Sequence, residues 1–326
     1  MTNKTRYNEY SAYLKNKYGE KIYKLPVNLP GTCPNRDGTV SRGGCIFCDE
    51  EGAGFECLPS DMSVKEQIAR NKAFFIKRFN GHRFFAYFQA FTNTYTDYES
   101  FRRNIIAAAE DDDVIGISVS TRPDCINDAY LDFLDELQRE KGLEINIELG
   151  LQTVNYHTLK KINRGHTLGE FIDAVLRIKK RGFKTVVHLI LNLPWDDDTD
   201  VVESAKVCSS LGIDFVKLHS LYVVKGTVLG EMFERGEFAL ISLEEYIDRV
   251  VLFLEYLDPA IVIQRLVGKG PQGNLLFCNW GTSWWKIKRG VEEVLEERRT
   301  WQGRKFDYTN GAAVRKFLDR RPAEQI

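Results

Sequence analysis

Residues 129–149, AYLDFLDELQREKGLEINIEL, decide the fold of this 326-residue chain. Up to Lys141 the apolar residues recur every three or four positions, which is typical of an amphipathic helix. Gly142 then ends the helix, because glycine readily adopts the left-handed conformation found at helix C-termini. Glu144 to Leu149 is short and rich in isoleucine, which predicts a buried strand. The stretch is therefore one helix–strand unit with a tight connection.

The same unit recurs along the chain. Strands are predicted at Phe84–Phe88, Val114–Val119, Glu144–Leu149, Thr185–Leu191 and Asp214–Leu218. Helices are predicted at Val64–Arg78, Tyr98–Glu110, Ala129–Lys141, Leu168–Arg181 and Val201–Leu211. Strands that alternate with helices through short connections imply a parallel sheet. We therefore expect an α/β fold that forms a full or partial (β/α) barrel, with a flat doubly wound sheet as the alternative.

The composition is that of an ordinary globular protein, with 43% hydrophobic and 28% charged residues. The sequence has no apolar run long enough to cross a bilayer, and its start lacks the apolar core of a signal peptide. Seven cysteines, an odd number, argue against a disulfide framework and for a reducing compartment. We therefore expect a cytoplasmic protein that does not associate with membranes.

Polar residues follow the predicted strands, where the functional residues of barrels lie. They are Gln89, Thr92 and Asn93, then Ser120, Thr121 and Arg122, then Glu148 and Gln152, then Asn192, and finally His219 and Ser220. Any one of them alone is more typical of a helix cap or a loop hydrogen bond. Their recurrence at five strand ends predicts a polar pocket at one rim of the sheet.

Three cysteines lie close together within loop 31–57. Cys33 precedes a glycine-rich segment, and Cys45 and Cys48 form a C-x-x-C pair. Thiolates are ligands of zinc and of iron–sulfur clusters. A structural zinc needs four protein ligands, for which Cys57 is the candidate fourth, whereas a catalytic cluster keeps one iron open. The residues alone leave both kinds of site open.

Both ends of the chain are basic and aromatic, although the whole chain carries 45 basic and 46 acidic residues. Residues 1–24 form an arm in which lysines are interleaved with tyrosines, and the extension 266–326 combines arginines and lysines with tryptophans. Cations that contact phosphates and rings that stack on bases favour an RNA partner. The alternative is that the charges are solvated and the tyrosines pack the arm onto the body.

Further strings accompany the cysteine loop in a set order: TRPD at 121–124, ELGLQT at 148–153, NRGHT at 163–167, GFKTVVH at 182–188 and KGT at 225–227. With Phe47 before its last cysteine, the loop resembles the cluster loop of radical S-adenosylmethionine (SAM) enzymes. Cys33 and Cys45 are farther apart than in the usual C-x-x-x-C-x-x-C motif. The longer spacing is similar to that of the branch which contains the catalytic subunit of Elongator and the bacterial YhcC-type proteins.

The resemblance implies a partial (β/α) barrel of radical SAM type over residues 25–265, with a small C-terminal extension. It implies that Cys33, Cys45 and Cys48 bind three irons of a [4Fe-4S] cluster, and that the fourth iron binds SAM. In such enzymes reductive cleavage of SAM gives a 5'-deoxyadenosyl radical that abstracts hydrogen. A reductant such as flavodoxin or ferredoxin is then expected as a partner.

The resemblance also implies contacts to SAM. Glu148 and Gln152 are expected to hold its amino or ribose groups, and Arg122 its carboxylate, because a guanidinium pairs well with a carboxylate. Arg122 bracing Asp124 is the alternative. No catalytic side chain is assigned, and roles are left open for Cys57, His166 and His188.

The Elongator subunit acts on the wobble uridine of tRNA, so the resemblance and the basic ends together predict a radical SAM enzyme that modifies a tRNA base. That subunit also carries an acetyltransferase domain, for which the segment after residue 265 is too short. Whether acetyl-CoA or another co-substrate is used is therefore left open. Two alternatives are a radical SAM enzyme acting on a small metabolite or tetrapyrrole, and a zinc-stabilised RNA-binding module without catalysis.

Overall fold

The computed structural model describes residues 5–49, 57–270 and 273–318. The strands are β1 Tyr23–Val27, β2 Phe84–Phe88, β3 Val114–Thr121, β4 Glu144–Gln152, β5 Lys184–Ile190, β6 Phe215–His219, β7 Val223–Val224, β8 Val262–Arg265 and β9 Leu275–Phe277. The helices are α1 Tyr10–Tyr18, α2 Pro34–Asp37, α3 Val64–Phe79, α4 Tyr98–Ala109, α5 Asp128–Lys141, α6 Tyr156–Lys161, α7 Leu168–Lys180, α8 Asp198–Ser210, α9 Val228–Glu234, α10 Leu243–Tyr256, α11 Trp284–Glu297 and α12 Arg315–Leu318. Within the described ranges, no helix is both long enough and apolar enough to cross a membrane.

Seven strands form one parallel sheet in the order β1-β2-β3-β4-β5-β6-β8. The sheet is curled, because Glu148 on β4 reaches Lys24 on β1 and Lys217 on β6, each with 2.5 Å between oxygen and nitrogen. Lys24 also donates to Gln264 on β8 at 3.3 Å, so the two edge strands approach each other inside the curve. The structure therefore confirms the predicted partial barrel, and the flat sheet is wrong.

The outer face of the sheet carries the hydrophobic core. Ile145, Ile147 and Leu149 of β4 are fully buried, and they alternate with the polar Asn146 and Glu148, which point into the curve. Helices α3, α4, α5, α7, α8 and α10 each contribute apolar residues to this core. The helices thus close the outer face and leave the inside of the curve for a site.

All five predicted strands and all five predicted helices are present, with ends that differ from the prediction by at most three residues. Gly142 ends α5 at a φ of 67°, and its N–H donates to the Gln138 carbonyl at 2.9 Å. The edge strands β1 and β8 are not predicted by the sequence. Pro26 lies in β1, and β8 has only 4 residues. An edge strand tolerates both features because it pairs on one side only.

The N-terminal arm packs against the body. Tyr10 and Tyr13 of α1 meet the ring of Phe215 edge to face, with centroids 5.6 and 5.3 Å apart. Arg6 forms a 2.6 Å ion pair with Glu296 of α11. Of the two alternatives for the arm, packing onto the body therefore holds for these two tyrosines, which contact the sheet, while Arg6 ties the arm to the C-terminal segment.

The C-terminal segment is partly neutralised within the protein. Lys288 of α11 pairs with Glu9 at 2.9 Å, and Arg298 pairs with Asp248 at 2.6 Å. Three of its indoles remain about half exposed, namely Trp284, Trp285 and Trp301, whereas Trp280 packs against the buried Tyr246. These three rings therefore stay at the surface.

Gly116 on β3 tests how tightly the inside of the curve is packed. A Cβ there would lie 2.7 Å from the Glu144 carbonyl oxygen and closer still to the ring of Phe85. We expect Gly116→Ala to lower the free energy of unfolding by about 1–3 kcal/mol through overpacking. Gly169→Ala is the control, because its Cβ would meet only Thr167 Oγ1, at 3.5 Å. Urea unfolding of both variants gives the comparison, and equal stabilities would contradict this packing.

Candidate functional site

A cavity of about 770 Å³ opens inside the curve of the sheet, at the carboxyl ends of the strands. Seven of the polar residues predicted from the strand ends line it: Gln89, Thr92, Ser120, Thr121, Arg122, Gln152 and His219. Asn93 and Asn192 have structural roles instead. Asn93 donates to the Phe88 and Ala90 carbonyls at 3.0 Å, and Asn192 accepts the N–H of Leu221 at 2.6 Å.

The cysteine loop folds back on itself at a glycine turn. Gly44 has a φ of 79°, a conformation that favours glycine, and its N–H donates to the Asn35 carbonyl at 2.8 Å. The Cys48 N–H donates to the Cys45 carbonyl at 2.9 Å, and Cys33 directly precedes α2. The turn therefore brings all three cysteines to one wall of the cavity.

The loop rests on the NRGHT string, residues 163–167. The Asn163 side chain donates to the carbonyls of Arg42 and Gly44 at 3.1 and 2.8 Å. The Asn35 side chain donates in return to the Asn163 carbonyl at 2.5 Å. This string therefore fixes the position of the cysteine loop.

One arginine lies beside each of the three thiol sulfurs. The nitrogen–sulfur distances are 3.3 Å for Arg36 to Cys48, 3.4 Å for Arg164 to Cys45 and 3.9 Å for Arg122 to Cys33. A guanidinium beside a sulfur favours the thiolate, which is the form that ligates metals. At Cys48, burial outweighs the effect of Arg36 and raises the pKa of the thiol. Arg122 and Arg164 are buried, so their charges are held where the thiols meet.

The donor set fits a cluster better than a single ion. In the described parts of the chain, no three His, Cys, Asp or Glu side chains are arranged to hold one metal ion. A cluster keeps its thiolates farther apart than zinc does, because several irons and sulfides lie between them. Cys57, the candidate fourth zinc ligand, is not among the described residues that line the cavity. Three thiols with three arginines on one wall fit a [4Fe-4S] cluster that keeps one iron open.

The residues predicted to contact SAM lie in different settings. Gln152 lines the cavity at a strand irregularity, with a φ of 75°. Arg122 also lines the cavity, but its guanidinium forms two 2.8 Å hydrogen bonds with the carboxylate of Asp124. Glu148 is fully buried behind the cavity wall. The assignment of these residues to SAM stays a prediction.

Glu148 is the centre of a buried charge network that the sequence analysis does not identify. Its oxygens lie 2.5 Å from the ammonium groups of Lys24 and Lys217, and 2.9 Å from Nε2 of His188. Burial by itself raises the pKa of Glu148, but Lys217 and Lys24 outweigh burial and lower it well below its usual range. One feature of the sequence does indicate this network. Lys217 lies within the apolar β6, and a buried lysine there needs a buried acceptor.

Two histidine rings stack beside this network. His188 and His219 both line the cavity, with ring centroids 5.2 Å apart. Burial lowers the pKa of His188 to about 4 despite its hydrogen bond to Glu148. Burial and then Arg265 lower the pKa of His219 well below its usual range. Both rings are therefore neutral at pH 7, and each offers one donor and one acceptor.

His166 has a structural setting. Its Nε2 lies 3.1 Å from the Gly150 carbonyl oxygen, and burial followed by the charge of Arg164 lowers its pKa to about 3. A neutral ring of this kind holds the end of β4 beside the cysteine loop.

Two family models match the chain. The radical SAM superfamily model matches residues 29–208, which is more than half of the chain, and the Radical_SAM C-terminal domain model matches residues 213–297. The first covers the cysteine loop and β2 to β5. The second covers β6 to β9 and α11.

Two relatives match over nearly their whole length. Protein MJ0486 of Methanocaldococcus jannaschii is 37% identical over 91% of this chain and 92% of its own. Protein YhcC of Escherichia coli K12 is 34% identical over 89% of this chain and 92% of its own. The match to YhcC confirms the resemblance inferred from the motifs.

Matches to Elongator-type proteins are partial. The tRNA uridine(34) acetyltransferase of M. jannaschii is 29% identical over 41% of this chain and 24% of its own. The solved structure of Elp3 from Methanocaldococcus infernus superposes with a TM-score of 0.65 at 17% identity, over 86% of this chain and 64% of that one. The likeness to Elp3 confirms the fold.

The cysteine assignment predicts the iron content of variants. After reconstitution without oxygen, the wild type is expected to hold about four irons per chain. Cys33→Ser, Cys45→Ser and Cys48→Ser should each lose most of that iron and the brown colour. Cys208→Ala is the control, since Cys208 is buried in α8. One zinc per chain and no colour in the wild type would contradict the cluster.

The lowered pKa of His188 predicts a pH dependence of stability. Between pH 6.5 and about 4 the unfolded state binds the proton and the folded state does not, so the free energy of unfolding falls as the pH falls. From pH 7 to pH 5 the wild type should lose about 2 kcal/mol more than His188→Gln. Urea unfolding at the two pH values measures this difference, and parallel losses would show that His188 is not buried as a neutral ring.

Proposed function

Because the chain belongs to the radical SAM superfamily, we propose that it modifies a base of tRNA, at the side chain of the wobble uridine. The cofactors of this family are a [4Fe-4S] cluster and SAM. Together they supply a 5'-deoxyadenosyl radical that removes hydrogen from an unactivated carbon. The protein binds and orients these cofactors and keeps water away from the reacting carbon.

In this proposal each wall of the cavity has one task. Cys33, Cys45 and Cys48 hold three irons, and the arginines beside them offset the negative charge of the ligated sulfurs. Gln152 and Arg122, which line the same cavity, are assigned to SAM. Glu148 acts on SAM only through the groups that surround it, since its carboxylate has no exposed surface.

The observation that carries the RNA proposal is an aromatic surface at the mouth of the cavity. Phe74, Phe75 and Phe79 of α3 line the cavity, and Phe74 and Phe79 remain 54% and 47% exposed. Lys77 and Arg78 are exposed on the same turns of the helix. Exposed rings among cations bind single-stranded nucleic acid, because bases stack on rings and phosphates contact cations.

The partial relatives support the same substrate class. The region shared with the tRNA uridine(34) acetyltransferase amounts to 41% of this chain, and the fold is that of Elp3. A base that leaves its stack can enter a cavity that an intact helix cannot. In the cytoplasm, flavodoxin or ferredoxin is the proposed source of the electron.

The experiment that tests the proposal is a nucleoside analysis of tRNA. Bulk tRNA from a strain that lacks the gene should lose one modified nucleoside, or accumulate its precursor, when digests are compared by mass spectrometry. Wild-type protein should restore the profile, and Cys45→Ser should not. An unchanged profile under all growth conditions in which the protein is made would exclude tRNA and favour a small metabolite.

The aromatic surface predicts the effect of a double variant. Phe74→Ala with Phe79→Ala should weaken tRNA binding by about tenfold or more, because each stacked base contributes about 1–3 kcal/mol. Leu176→Ala is the matched control, since Leu176 is 58% exposed on α7. Filter binding of tRNA at one fixed salt concentration measures both. If both variants lose tRNA affinity equally, the aromatic surface is not part of the RNA site.

A further inference from the structure

Two cations lie next to each other on the inner face of the sheet. Lys217 of β6 pairs in register with Arg265 of β8, and both side chains line the cavity. Like charges at neighbouring positions of adjacent strands destabilise a sheet. A folded protein therefore keeps such a pair where an opposite charge offsets the repulsion.

The protein compensates for only one member of the pair. The carboxylate of Glu148 pairs with Lys217 and also with Lys24, so its two oxygens are occupied. Within residues 5–49, 57–270 and 273–318, Arg265 forms no ion pair with a carboxylate, and its buried Nε has no hydrogen-bond partner. Buried donors are ordinarily satisfied, so Arg265 has an unfilled capacity for an acceptor.

Within the described ranges, Arg265 donates to a neutral histidine ring and to no carboxylate. Its Nη2 lies 2.8 Å from a ring nitrogen of His219. Burial, opposed by Glu148 and reinforced by Lys24 and Arg265, lowers the pKa of Lys217 well below its usual range. Such a shift is the expected response of an ammonium group that faces more positive than negative charge.

We propose that Arg265, Lys217 and His219 form a binding site for one oxyanion, a carboxylate or a phosphate, carried by the substrate. The proposal rests on the proposed function in that the substrate enters this cavity, but it does not require the substrate to be RNA. Guanidinium and ammonium groups match both oxyanions, and a guanidinium binds two oxygens at once.

The position of the site separates it from the cysteines. Arg265 and Lys217 lie on β8 and β6, at one edge of the sheet order, whereas the arginines beside the cysteine sulfurs follow β3 and β4 or lie on α2. Both groups line one cavity. A molecule with its reacting carbon near the cysteine wall can therefore place an anionic group on Arg265.

The test uses the holoenzyme, reconstituted without oxygen, and inorganic phosphate and acetate as separate probes. Calorimetric titration at constant ionic strength measures their affinity. Arg265→Gln should weaken phosphate binding at least tenfold, and Arg265→Lys should restore most of it. Glu148→Gln should strengthen binding, because it removes the carboxylate that competes with the probe. Arg103→Gln is the matched control, since Arg103 is exposed on α4, and it should change nothing.

A second measurement identifies the source of the oxyanion. SAM carries a carboxylate of its own, so equilibrium dialysis of SAM is repeated with and without phosphate. Unchanged SAM binding supports a substrate site. Competition between phosphate and SAM would overturn the proposal and place the SAM carboxylate on Arg265. Tighter binding of phosphate than of acetate, with equal loss in Arg265→Gln, would indicate a phosphate group; the reverse order would indicate a carboxylate.

The outcomes separate this proposal from the function proposed above. If the tRNA profile is unchanged but phosphate binding follows the variants, the RNA substrate is wrong and the oxyanion site stands. If the tRNA profile changes but Arg265→Gln and Arg103→Gln bind phosphate equally, the oxyanion site alone is wrong. If Arg265→Gln does not fold, the wild-type titration decides, because a wild-type holoenzyme that shows no saturable phosphate binding contradicts the site.

Discussion

The carboxylate of Glu148 carries its charge inside the curled sheet without any exposed surface. A charge in that position must be paired, and the partners come from strands on both sides of β4: Lys24 on β1, His188 on β5 and Lys217 on β6. A flat sheet would hold β1 and β6 too far from β4 for these contacts. Loss of one partner leaves an uncompensated buried charge and costs about 3–5 kcal/mol, so this carboxylate is compatible with the curled sheet and not with the flat alternative.

The curve in turn creates the place for the cysteines. It turns the strand ends toward one cavity, and the NRGHT string lies at the rim of that cavity, where Asn163 holds the backbone of the cysteine loop. The arginines then meet the sulfurs from α2, from the end of β3 and from the turn after α6. A cluster ligated by thiolates is a negatively charged group, and three fixed guanidinium groups are suited to offset that charge.

The sequence alone was sufficient for elements in which local pattern and tertiary role agree. The helix–Gly142–strand unit is one of these, because α5 is amphipathic, β4 is apolar, and glycine fits the left-handed turn. The Glu148 network could not be predicted in the same way, since its members are 124 and 69 residues apart along the chain and meet only when the sheet curls. The tyrosines of the arm show the limit of a local pattern. Their spacing among lysines is compatible with a nucleic-acid surface and with packing onto the body, and only the structure shows that two of them lie partly buried against Phe215.

The charges inside the cavity are distributed unequally, and this has a consequence for how two different molecules bind there. The cysteine wall places the sulfurs beside guanidinium groups, one of which is already paired with Asp124, so the negative charge of a bound cluster would offset the remaining cations. The β6–β8 side places Lys217 and Arg265 beside a single carboxylate that is already shared with Lys24. The sulfonium of SAM is positive, whereas the carboxylate of SAM and any anionic group of a substrate are attracted to cations such as Lys217 and Arg265. The two proposals together therefore place the cofactor toward the cysteine wall and the anionic group of the substrate toward Arg265, with the carbon to be attacked between them.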